Sequence, residues 1–244
     1  MIRFAEVSVG YGGAVGCSRC APVTRERVYR PVAEIAAEIA AVCGAWEGRL
    51  GPNIRLTGAE PIEHPELPSI ISAAAAAGCQ RIGVDTDGVA LGPAAHAAEI
   101  LVAGVRHVRF TLLGGTAAVH DALAGAPGRF DAALEGARSF RAVSKAEDLA
   151  TSITALISVC RHNVHDLPLA VLAAVEAGVN SVLLRLDDDG LDMRSLTPWV
   201  VAACDTGVVN SVWVEVEGVP RGDLPGYELH VPDAARPIRA RKGD

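Results

Sequence analysis

Aromatic side chains are scarce: three Trp, three Tyr and four Phe stand among 244 residues. The core must therefore be filled by Ala, Val, Leu and Ile, a fine-grained packing that suits helices laid closely on a sheet. Positive charge is also in deficit, with 22 Lys and Arg against 29 Asp and Glu and a net charge of -7. That balance excludes the basic footprint of a nucleic-acid-binding protein. The one basic run, residues 236–242, reads as a solvated tail. No apolar run reaches the roughly 18 residues that span a bilayer, and the N-terminus enters a strand-like segment with no leader pattern. The expectation is a cytoplasmic protein with neither a membrane nor a nucleic-acid partner. With half the residues apolar, a large buried core is expected and disorder is not.

What is present is a regular alternation. Strand-like segments fall at 3–9, 53–57, 81–86, 106–113, 151–159, 181–186 and 211–216. Helical periodicity falls between them at 31–46, 65–78, 93–104, 117–123 with 128–143, 163–178 and 194–207. Pro31, Pro65 and Pro93 suit first helical turns, and Gly78 and Gly104 suit helix ends. Such alternation predicts parallel strands joined by helical crossovers. About seven strands is one short of a closed eight-stranded barrel. The predicted fold class is α/β, a partial (β/α)6-type open TIM-like barrel of mostly parallel strands. It is expected to fill residues 1–217, with 218–244, rich in Pro, Gly and charge, as a C-terminal extension. In such folds chemistry gathers at the C-terminal ends of the strands.

Six cysteines occur, at 17, 20, 43, 79, 160 and 204. Four are isolated in sequence and are expected to be reduced, small core residues. Cys17 and Cys20, in the loop after the first strand, have the CxxC spacing that can grip a metal or flank a redox disulfide. A zinc ion there would lack two further ligands. Other strand ends carry polar groups. Thr57-Gly58-Ala59-Glu60-Pro61 is a tight turn with an acid able to accept from an ammonium group. Asp85-Thr86-Asp87-Gly88 could bind a cation but has the composition of a turn. His120-Asp121, His162, Asn163 with His165, and Asp187 to Asp189 follow later strands, as ligands, helix caps or exposed loop residues. His120, Asp121, His162 and Asp187 are the acid/base candidates for a barrel enzyme that works by proton transfer.

The order of these pieces resembles the radical SAM superfamily, in its peptide- and cofactor-modifying branch. A cysteine loop after the first strand precedes Gly58-Ala59-Glu60-Pro61, similar to the GGEP motif of the second strand. Thr86-Asp87-Gly88 is similar to the TNG of the third, and Thr111-Leu112-Leu113-Gly114 to the S-L-D-G of the fourth. His120-Asp121 through Gly125, Gly128 and Phe130 resembles the HD-x-L-x-G-x-x-G-x-F run. The resemblance implies S-adenosylmethionine (SAM) as cofactor, with Gly58, Ala59, Glu60, Pro61 and Thr111 as its binding residues. It also implies Cys17 and Cys20 as ligands of a 4Fe-4S cluster. In that family three cysteines at CxxxCxxC hold the cluster, SAM chelates the fourth iron, and electron transfer releases a 5′-deoxyadenosyl radical. Here the first cysteine position falls at Gly13, which carries no ligand; Arg19 replaces an aromatic residue, and Asp87 an Asn. The expected function is a degenerate member without reductive SAM cleavage, serving as a binding or partner subunit in a peptide- or small-molecule-modifying pathway, with an active relative or a peptide substrate as partner. The alternatives are an active enzyme with an unusual 4Fe-4S ligand and a non-radical barrel enzyme.

Overall fold

The computed structural model describes residues 4–12, 26–47, 51–186 and 192–232. Seven strands form one sheet: β1 (Ala5–Ser8), β2 (Asn53–Thr57), β3 (Arg81–Thr86), β4 (His107–Thr111), β5 (Ser152–Val159), β6 (Ser181–Leu186) and β7 (Trp213–Glu217). They pair in sequence order, and every pairing is parallel. Between them run α1 (Val32–Gly44), α2 (Leu67–Ala76), α3 (Ala94–Ala103), α4 (Ala117–Ala124), α5 (Arg129–Ala146), α6 (Leu167–Glu176) and α7 (Met193–Val209). β1 and β7 are the two ends of the strand order, so the barrel stays open. Among the described residues no helix is long and apolar enough to cross a membrane.

The two faces of each strand differ, and the period of two in the sequence says why. Val7, Leu56, Val84, Phe110, Ala155, Leu184 and Val216 belong to the phase that packs under the helices, all at or near zero exposure. Each large side chain buried there contributes about 1.5–3 kcal/mol. The opposite phase carries charge on every strand apart from β5: Glu6, Arg55, Arg81 with Asp85, Arg109, Arg185 and Glu215 with Glu217. The helices have ordinary stops: Gly104 and Gly125 take left-handed conformations at the ends of α3 and α4. α2 starts at Leu67, two residues later than the proline at 65 suggests, because residues Pro61–Glu63 form a separate short 3-10 turn. Beyond β7, Leu224 and Val231 are buried against the core, and His230 stacks on Trp213 at 4.5 Å.

Candidate functional site

The C-terminal ends of β1 and β2 meet at close range. Gly58 has φ +78°, and a Cβ there would stand 2.3 Å from the Gly10 carbonyl oxygen and 2.6 Å from Ser8 Oγ. Only glycine allows this approach. Ala59 follows, also left-handed at φ +46°. A cleft of about 390 Å³ opens there, lined by Ser8, Gly10, Gly12, Gly58, Ala59, Pro61 and Asp85. That volume falls in the range of small-molecule sites.

Glu60 is turned inward behind this wall and is fully buried. Its Oε2 accepts from the Asp87 amide at 2.9 Å, while Oε1 has no partner. Burial, reinforced by the negative charge of Asp87, pushes its carboxyl up to about 8. Asp87 in turn pairs with Arg129 at 2.6 Å, and its Oδ1 accepts from the Val89 amide at 2.9 Å. Thr86 Oγ1 accepts from the Gly88 amide, so the Thr86-Asp87-Gly88 string makes the turn its composition suggests. Arg27 reaches Glu63 and Asp87.

Thr111 is buried at the end of β4, but it lines a different hole. With Asp87, His120 and Arg129 it surrounds about 10 Å³, room for one water molecule. His120 is buried there, its Nδ1 accepting from the Leu113 amide at 3.1 Å and its ring set edgewise on Phe130 at 5.7 Å. Nδ1 is therefore unprotonated, and burial lowers the pKa to about 4. Asp121 accepts from the Gly128 and Phe130 amides at 2.6 and 2.8 Å, which opens α5. The His120-to-Phe130 run thus shapes the α4–α5 corner, and these two side chains are committed to backbone groups.

The remaining candidates do not converge. His162 and His165 are exposed after β5, with His165 against Trp199. Asn163 does not cap α6: its Nδ2 donates to the Leu113 and Ser158 carbonyls and its Oδ1 accepts from the Cys160 amide, which locks the β4 and β5 loops together. Gly13, Cys17, Cys20 and Asp187 to Asp189 lie outside the described residues. Among the described residues no group of three His, Cys, Asp or Glu could hold a metal ion.

Sequence reasoning missed the charge lattice on the concave face. Arg109, 5% exposed, grips Asp85 through Nε at 2.8 Å and Nη2 at 2.5 Å, and Glu6 through Nη2 at 3.0 Å. Arg55 lies 3.5 Å from Asp85 and stacks over Phe4 at 4.5 Å. Arg185 pairs with Glu217 at 3.2 Å. Burial works to raise the Glu6 carboxyl, yet Arg109 outweighs it and holds Glu6 below the usual range. Asp85 joins this lattice to the cleft above it. The missed signal was a charged residue near the end of nearly every strand, in the phase opposite to the apolar one.

The comparisons with known proteins bear on this arrangement. No protein-family model and no curated protein matches the chain. Solved structures do match. Streptococcus suis SuiB bound to S-adenosylmethionine superposes with a TM-score of 0.67 at 12% identity, over 88% of this chain and 51% of that one. SuiB has also been solved with the precursor peptide SuiA. Native anSMEcpe with bound AdoMet gives 0.65 at 11% identity, over 87% and 63%. TsrM from Kitasatospora setae, a radical S-adenosylmethionine methyltransferase with cobalamin and a [4Fe-4S] cluster bound, gives 0.50 at 14% identity, over 75% and 36%. This chain shares with these structures an open α/β barrel of parallel strands. The chain spans about half the length of SuiB, and at these identities the likeness is one of fold. In this chain the Gly58–Pro61 turn and the end of β1 stand at one edge of one parallel sheet.

Proposed function

We propose that this chain binds S-adenosylmethionine at the ends of β1 and β2, does not cleave it reductively, and acts as a binding or partner subunit in the modification of a peptide. The observation that carries the reading is the cleft walled by Gly58, Ala59 and Pro61 at the joined ends of β1 and β2.

The residues fit SAM; the donor set does not fit a four-iron cluster. Cys17 and Cys20 offer two thiolates, and Gly13 offers none at the position where a third is needed. No step is therefore derived through a cluster. The peptide reading rests on SuiB, solved with its precursor peptide, and on the open barrel that both chains share. Isothermal titration of SAM into the anaerobic protein tests the reading. Saturable binding that Gly58→Val abolishes, without release of 5′-deoxyadenosine under a strong reductant, is expected. Absence of binding, or turnover of SAM, contradicts it.

A further inference from the structure

Cys43 lies in the last turn of α1, and Cys79 in the turn between α2 and β3. Their sulfurs are 2.9 Å apart, less than 1 Å beyond the roughly 2.05 Å of a disulfide. Both backbones are fixed: Cys43 by its helix, Cys79 by an amide that donates to the Ala74 carbonyl at 3.0 Å. Both side chains are half-buried, so a small oxidant can reach them. Cys160 and Cys204, by contrast, are fully buried. Two residues beyond Cys79 the chain enters β3, which puts the pair at the N-terminal end of the sheet, opposite the cleft.

We propose that Cys43 and Cys79 form a thiol–disulfide couple that a low-molecular-weight disulfide such as oxidised glutathione converts to a staple between α1 and α2. In the first exchange one protein thiolate attacks a glutathione sulfur, its S–S bond breaks, and one glutathione thiolate leaves. In the second, the other protein thiol displaces the remaining glutathione from the mixed disulfide. The protein loses two electrons and two protons, and one disulfide becomes two glutathione thiols. Burial and the neighbouring Cys43 push the Cys79 thiol up to about 12, so exchange is slow near neutrality and quickens as pH rises. The bridge closes residues 43–79 into a loop and joins the first two strand–helix units, whose other ends form the cleft.

The test treats the full chain with oxidised glutathione, in wild type and in a Cys17→Ala/Cys20→Ala variant that removes the competing CxxC pair. Alkylation and peptide mapping without reductant then score the products. A linked peptide containing Cys43 and Cys79, two fewer alkylatable thiols, and a Tm raised by about 10 °C and restored by dithiothreitol are expected. Adding Cys79→Ser abolishes the linked peptide. Persistence of both thiols, or single glutathione adducts with no linked peptide, overturns the proposal.

Discussion

Glu60→Gln separates the carboxyl's charge from its shape. The Asp87 amide keeps an acceptor, because the Gln carbonyl can take the place of Oε2. In wild type the Glu60 carboxyl titrates at about 8 instead of 4.5. Between those values the folded chain holds a proton that the unfolded chain has released, so stability falls as pH rises through this window. Each tenfold change in proton affinity corresponds to about 1.4 kcal/mol, which sets a ceiling of about 5 kcal/mol on the loss from pH 4.5 to 9. Glu60 is fully buried, so solvent screening reduces this little. The variant has no such loss. In thermal unfolding without ligand at pH 5, the two proteins should melt within about 3 °C of each other. At pH 9 Glu60→Gln should melt about 5–15 °C higher, given about 2–4 °C per kcal/mol for a chain of this size. A variant that melts no higher than wild type at pH 9, with the same slope between pH 5 and 9, refutes the reasoning.

Removing Arg109 should leave Glu6, 40% exposed, without that cation and Asp85 with Arg55, and Arg109→Leu should cost about 1–3 kcal/mol in urea unfolding. Gly58→Ala should cost about 2–4 kcal/mol, since its methyl group meets the Gly10 carbonyl at 2.3 Å, and a thermal melt should fall by about 5–15 °C. His120 is held neutral, with a pKa near 4 against 6.5, so stability should drop by up to about 3 kcal/mol as pH falls from 6.5 to 4. His120→Ala should be less stable than wild type at pH 7 and lose less on acidification, as denaturant titrations at both pH values would record.

The alternation of apolar strands with helical segments was legible because parallel strands covered by helices read as apolar runs bounded by Pro and Gly. All seven strand positions and the open sheet followed from it. The Gly58 turn was legible because a close backbone approach needs glycine. Less legible was what the polar residues do. His120 and Asp121 read as acid/base candidates, yet they serve the Leu113, Gly128 and Phe130 amides. Partners across the sheet are distant in sequence and invisible to local pattern. The pairing of Arg109 with Glu6, 103 residues away, is of this kind. So is the contact of Cys43 with Cys79, which sequence alone leaves as two isolated core cysteines. Thr111 was expected among the SAM-binding residues, yet it lines a different cavity from Gly58.

The central claim is that a SAM-binding edge survives without the chain's own full set of cluster ligands. Iron and sulfide content after anaerobic reconstitution tests it most directly, in wild type beside Gly13→Cys, which completes CxxxCxxC with Cys17 and Cys20. The account predicts well under four irons per chain in wild type, and about four in the variant with the broad visible absorption of a 4Fe-4S cluster. About four irons in wild type, with release of 5′-deoxyadenosine from SAM, would contradict it.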